Sequence, residues 1–204
     1  TVVALVLAFI PAIYLTAQNA PVSTAPVVTT LGTTVVAPVT AINFSNIGSC
    51  NLKLTYNPAV ATATLVTTGP LLGGNISTNL TVPGEISIGW YTFPAVSLPN
   101  NSVIFNITFT KVASGVSPLA WYDDGYSCLW SDGSFNTLND IPTASYYIDG
   151  MVIFESNDAP STRAATMNSC TGIVIDIPIV VSAFANIGKL ALNLQYNASV
   201  LTFQ

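Results

Sequence analysis

Between Trp121 and Asp132 the chain reads WYDDGYSCLWSD, three carboxylates and four aromatic rings within twelve residues. Three chemistries fit such a stretch. Asp123, Asp124 and Asp132 are oxygen donors of the kind that hold calcium, and Trp121, Tyr122 and Trp130 are flat faces on which a sugar ring can stack. Two of these acids, or one of them with Glu85, would make the carboxylate pair of a glycosidase. The alternating D-x-D-x-D-G order of a calcium loop is absent, and the chain has only two glutamates. The expected reading is therefore structural: a turn-rich loop in which Asp precedes Gly, with aromatic rings capping a core.

The sequence contains no histidine. That removes the usual general base, the Ser–His and Cys–His nucleophile pairs and the commonest zinc ligand. Cys50, Cys128 and Cys170 show no CxxC spacing, which argues against a zinc knuckle or a thioredoxin-type site. No catalytic residue, metal site or cofactor is expected, and the chain does not read as an enzyme. A secreted setting favours disulfides, and Cys50 is expected to pair with Cys128. Cys170 is expected to stay free or to pair elsewhere.

Six asparagines precede x-Ser or x-Thr: Asn43, Asn75, Asn79, Asn100, Asn106 and Asn197. Each is a candidate N-glycosylation acceptor. Attached glycans would help an unusual surface, because only 6% of the residues are charged and 50% are hydrophobic; soluble domains usually carry about 25% charged residues. The cations number four, Lys53, Lys111, Arg163 and Lys189, against a net charge of −5. No basic patch can be assembled from them, so nucleic acid and anionic membrane surfaces are poor partners.

What must position these groups is a set of strands. From residue 30 to 154 there is no helical periodicity, only short alternating or apolar runs closed by Gly, Pro or Asn. Strands are expected at Thr34–Asn43, Ser49–Tyr56, Ala61–Thr67, Glu85–Tyr91, Val103–Val112, Leu119–Trp121 and Ala144–Phe154. Regularly spaced strands of this kind predict an all-β antiparallel sandwich, with Leu52, Leu54, Tyr56, Ile86, Ile88, Phe105, Ile107 and Phe109 on its sheets. The small, polar, Pro-containing stretches at 21–29 and 155–169 read as linkers. Residues 1–20 are apolar and uncharged as far as Ala17. They are expected to be either a signal-like segment or a strand donated to a neighbouring subunit, and the run is short for a membrane span.

The sequence also repeats itself at a spacing of 140. Phe44, Asn46, Ile47 and Gly48 return as Phe184, Asn186, Ile187 and Gly188. Leu52, Leu54, Tyr56, Asn57 and Val60 return as Leu192, Leu194, Tyr196, Asn197 and Val200. Over 34–64 against 174–204, 11 of 31 positions are identical without a gap, where chance gives roughly two. The matches keep strand parity, so Leu, Leu and Tyr share one face. A partial second module is expected at 170–204.

The pattern VVAPV, then NIG, then L-x-L-x-Y-N-P-x-V, with the later EISIGWYTF, LPNNSVIFNITF and YYIDGMVIF, resembles a cohesin-like domain. The resemblance covers about residues 30–154 and again 170–204. It implies a nine-stranded jelly-roll β-sandwich of bacterial extracellular or cell-surface proteins, including scaffoldins that bind dockerins. Repeat, low charge and missing catalytic residues lead us to expect a structural subunit of a surface fibre or a repeat of an adhesin. In that reading it assembles with copies of itself through β-strand contacts. The alternative is a cohesin-type module that recognises a dockerin-like protein; glycans are a further possible partner, and an accessory domain attached to a hydrolase is a third reading.

Overall fold

A computed structural model describes residues 18–156, 159–184 and 187–203. The expected signal or donor segment at 1–17 lies outside the described residues. The chain divides into two units, Thr1–Ser156 and Asn157–Gln204.

The described residues of the first unit are all-β apart from one 3-10 turn at Thr143–Ser145. Its strands are β1 (Val22–Thr24), β2 (Val27–Thr30), β3 (Thr34–Ile42), β4 (Ile47–Thr55), β5 (Ala61–Thr68) and β6 (Asn75–Asn79). They continue with β7 (Glu85–Val96), β8 (Ser102–Lys111), β9 (Gly115–Trp121), β10 (Leu129–Asp132), β11 (Tyr147–Ile148) and β12 (Gly150–Phe154). One sheet runs β11-β1-β3-β8-β5, the other β2-β12-β9-β4-β7-β6. At one end β4 pairs β9 through Leu54 and Thr55; at the other it pairs β10 through Ile47–Asn51.

Alternation builds the core between the two sheets. Leu52, Leu54 and Tyr56 of the β4 region, Ile86 and Ile88 of β7, and Phe105, Ile107 and Phe109 of β8 are all buried. Each contributes roughly 1.5–3 kcal/mol by leaving water. Phe44 packs edge-on against Trp130 at 5.2 Å and Trp90 at 6.3 Å, a geometry that favours aromatic pairs. The two buried polar side chains among the described residues are satisfied: Ser23 Oγ accepts from Trp130 Nε1 at 3.2 Å, and Ser117 Oγ accepts from Asn57 N at 2.9 Å. Gly48 of the NIG motif lies under the β10 backbone, where a Cβ would sit 2.5 Å from the Asp132 carbonyl oxygen.

Two expected linkers carry strands instead. Residues 21–29 hold β1 and most of β2, one in each sheet. They run parallel to the closing segment: β1 beside β11, β2 beside β12. Opening and closing segments switch sheets at the same place, where Met151 N donates to Pro26 O at 2.9 Å. Gly150 is required there, since any Cβ would run into the carbonyl oxygens of Ala25 and Pro26. The expected strand Ala144–Phe154 is thereby split in two.

In the second unit, the expected linker 155–169 carries β13 (Ser161–Ala164), which pairs antiparallel with β14 (Ile179–Ser182). This pair echoes β1 with β3. Ser161 faces Ser182 as Val22 faces Ile42, and Ala159-Pro160 and Ala164 repeat Ala20-Pro21 and Ala25. The similarity to the opening of the first unit thus extends upstream of residue 170, to about residue 159. Residues 187–203 contain no strand, and both strands of the unit are exposed along their length.

Candidate protein-binding face

The parity that fills the core leaves the other parity of β4, β7 and β6 on an outer face. Register sets its rows: Asn75–Tyr91–Ser49, then Ser77–Gly89–Asn51, then Asn79–Ser87–Lys53. Glu85 stands at the corner and bonds Lys53 Nζ at 2.8 Å. That carboxylate holds the Lys53 ammonium above its ordinary range. Gly89 has no side chain in the middle row, and a Cβ there would meet nothing nearer than Ser77 O at 3.8 Å. The result is a notch in an otherwise flat face.

The loop 122–128 folds over this face from the β9 side. Asn51 Nδ2 donates to Tyr126 O at 2.8 Å, Tyr122 N donates to Lys53 O at 2.9 Å, and Lys53 Nζ lies 4.8 Å from the centre of the Tyr122 ring. Tyr91, Phe93, Tyr122 and Tyr126 are all exposed, Phe93 and Tyr126 more than 80% so, at 86% and 81%. Aromatic rings in water are costly and are enriched at protein–protein contacts.

The three acids of the Trp121–Asp132 stretch serve as turn acceptors. Asp123 Oδ1 accepts from Gly125 N at 2.8 Å; Asp124 Oδ1 accepts from Tyr126 N at 3.0 Å and Ser127 N at 2.8 Å. Asp132 accepts from the Asn136 side chain at 3.1 Å and from the backbone N–H groups of Ser134 and Asn136 at 2.8 Å. These bonds favour the charged forms, so Asp124 and Asp132 titrate below the usual carboxylate range. Burial instead raises Asp140, which accepts from Tyr147 Oη at 3.3 Å.

The stacking platform does not form. Trp130 is core, Trp121 is half-buried with Nε1 bonded to Ile148 O at 2.9 Å, and only Tyr122 is exposed. Glu85 is committed to Lys53. An open groove elsewhere is lined by Gln18, Asn19, Asn43, Ser45 and Tyr146, amides and hydroxyls without a carboxylate pair.

The expected Cys50–Cys128 disulfide is also absent, both residues being buried free thiols. Cys50 stands opposite Trp130 in the ladder, not opposite Cys128. Cys128 lies in a left-handed turn at φ 58° and directs its thiol to Tyr122 O at 3.5 Å and Lys53 O at 3.6 Å. Burial pushes the Cys50 thiol well above its ordinary pKa and the Cys128 thiol up to about 11. Cys170 is exposed and free.

The sequon asparagines lie outside the core. Asn75 and Asn79 are on β6, at the rim of the candidate face. Asn100 Oδ1 accepts from Asn43 N at 2.8 Å, and Asn106 is on the outer face of the opposite sheet. Asn197 Oδ1 accepts from Ser199 Oγ at 2.6 Å. Asn51, Gly89 and Tyr91, which no sequence motif marks, stand on this face as the complement of the core parity.

The family model for the cohesin domain matches residues 22–123. No curated protein matches the chain. Solved structures with the same fold include the sixth cohesin of Acetivibrio cellulolyticus scaffoldin B, in complex with a Cel5 dockerin mutant. It is 14% identical, with a TM-score of 0.56, covering 67% of this chain and 100% of that one. The seventh ScaB type I cohesin of Pseudobacteroides cellulosolvens is 19% identical, with a TM-score of 0.56 over 70% of this chain and 96% of that one. A non-cellulosomal cohesin of the hyperthermophilic archaeon Archaeoglobus fulgidus is 19% identical, with a TM-score of 0.53 over 70% and 94%. With half of the chain matched by the family model and the sandwich in place around it, this chain belongs to the cohesin domain family.

Proposed function

We propose that the first unit is an extracellular, non-catalytic binding module that recognises a dockerin-like protein through the outer face of β6, β7 and β4 and the loop 122–128. The observation that carries this reading is the exposed aromatic set Tyr91, Tyr122 and Tyr126: Tyr91 stands one row from Gly89, Tyr126 O is held by Asn51 opposite Gly89, and the Tyr122 ring lies against Lys53 in the next row. Flat faces with aromatic anchors and a polar rim suit protein partners. Relatives of the same fold were solved with dockerins bound. The test is calorimetric titration with dockerin-like modules encoded in the same genome. Gly89→Arg should fill the notch without touching the core and weaken binding at least about tenfold, about 1.4 kcal/mol. Failure of every such module to bind, or unchanged affinity of the variant, would sink the proposal.

A second reading, a repeat of a surface fibre or adhesin, is favoured by the second unit. Leu192, Leu194 and Tyr196 are exposed there although their counterparts in the first unit are core. Strands equivalent to β7, β8 and β9, from the same chain or from another copy, would cover them. Electron microscopy of native material distinguishes fibres from single particles. Deleting residues 1–18 tests whether that segment is the donor; if the shortened protein still polymerises, it is not.

A further inference from the structure

The sheet face turned away from the candidate binding face poses a separate problem. Its outward residues on β3, β8 and β5 are uncharged throughout, mostly threonines. Val36 and Leu65 both pair with Thr108 and form an apolar row, 50% and 53% exposed. Among the described residues, strand β5 is also an unpaired sheet edge. Uncharged faces beside an open edge invite association with other chains, and proteins ordinarily guard them with charge or cover. No charge stands here, but the centre of the face is Asn106, between Pro38 and Thr67 in the next row.

Asn106-Ile107-Thr108 is a glycosylation sequon. Alternation buries Ile107 in the core and leaves the Asn106 amide and the Thr108 hydroxyl on the outer face. Among the described residues no protein group hydrogen-bonds the Asn106 side chain, whereas Asn79, Asn100 and Asn197 use theirs as turn or loop acceptors. Thr108 lies about 7 Å along the strand from Asn106, so a sugar on Asn106 reaches the Val36–Leu65 row.

We propose that Asn106 carries an N-linked oligosaccharide that covers this face. Its Nδ2 takes the anomeric carbon of a lipid-pyrophosphate-linked oligosaccharide. The bond from sugar C1 to the phosphate oxygen breaks, the amide gives up one proton, and the lipid pyrophosphate leaves; nothing is oxidised or reduced. The transfer occurs on the unfolded chain during export, so the strand is no obstacle, and the folded sandwich accepts the product because the side chain points outward.

The experiment is tandem mass spectrometry of the chain purified from the organism that makes it. Cleavage at Lys53 and Lys111 leaves Asn75, Asn79, Asn100 and Asn106 in one tryptic peptide, so electron-transfer fragmentation must place the added mass. Hexose-containing mass on Asn106, lost in Asn106→Gln, is the expected result. Hydroxyl-radical labelling then reads the cover: Val36 and Leu65 should be protected in the native protein and lose that protection in Asn106→Gln, with Tyr91 and Tyr126 of the opposite face unchanged. An unmodified Asn106, or sugar on other sequons alone, overturns the site; equal labelling of Val36 and Leu65 in both proteins overturns the cover.

Discussion

Leu52, Leu54 and Tyr56 are 0%, 0% and 8% exposed, while Leu192, Leu194 and Tyr196, the same residues 140 positions later, are 52%, 56% and 50% exposed. What survives in the second copy is local. Asn57 and Asn197 make the same turn. Each accepts, through Oδ1 at 3.0 Å, from the N–H two residues on, and through its carbonyl from Val60 and Ala61 or from Val200 and Leu201 at 3.0–3.1 Å. Asn43 and Ala183 share a left-handed backbone, φ 58° and 57°. Even the first hairpin-like pair, β13 with β14, re-forms. What is lost is everything that depends on strands far away in sequence: β4 is held by β7, β9 and β10, and among the described residues, 190–196 have no such neighbours. Turns are written into a few residues, whereas a strand's burial is conferred by its partners.

The largest expected effect follows from that contrast. Leu52→Ala or Leu54→Ala should each destabilise the first unit by about 2–5 kcal/mol. Leu192→Ala and Leu194→Ala should stay within about 0.5 kcal/mol. Chemical denaturation of the four variants measures both, and equal losses would mean that the second copy is packed in solution. Gly150→Ala is next. A methyl group driven into the Ala25 and Pro26 carbonyls should cost about 1–3 kcal/mol, read as a lower denaturation midpoint, although Gly150 is on the closing segment and touches no part of the repeated motif.

A smaller effect separates turn from fold. Asn57→Ala removes the bond to Ala59 N and should cost about 0.5–1.5 kcal/mol. Asn197→Ala should leave the unfolding midpoint unchanged while altering only the amide shifts of Ser199 and Val200. The smallest effect is one of pH. Asp124 and Asp132 titrate lower folded than unfolded. Their stabilisation is therefore complete above the ordinary carboxylate pKa, about 3.9, and is lost as pH falls through their depressed folded values. Hydrogen exchange of the Tyr126, Ser127 and Asn136 amides should accelerate in that acid window relative to the core amides of β4 and β8; no difference would detach the loop from its carboxylates.

The long strands were legible because alternation at Leu52-Leu54-Tyr56, Ile86-Ile88 and Phe105-Ile107-Phe109 is a local pattern with a single consequence. The short ones were not. β1, β2 and β13 are three or four residues of Val, Ser, Thr, Arg and Ala beside prolines, and such stretches look like linkers until a distant strand pairs with them. The disulfide was illegible for a related reason: sequence places Cys50 and Cys128 in one module, but only the ladder register puts Trp130 opposite Cys50. The candidate face was half legible. Its aromatic loop stood out, while Asn51, Gly89 and Tyr91 became visible only as the residues the core does not use.

The opening and closing segments of the first unit run side by side in the same direction, β1 along β11 and β2 along β12. A pull that drags Val22 one way and Phe154 the other slides these neighbours lengthwise past each other. The hydrogen bonds between them then lie across the direction of load and must yield together, whereas a hairpin pulled from its open end unzips one bond at a time. Because the same segments carry both sheets, the clasp cannot slip in one without opening the other. A module joined to its neighbours through these ends would bear tension at the seam where its chain enters and leaves, with the rows around Gly89 kept flat until that seam gives way.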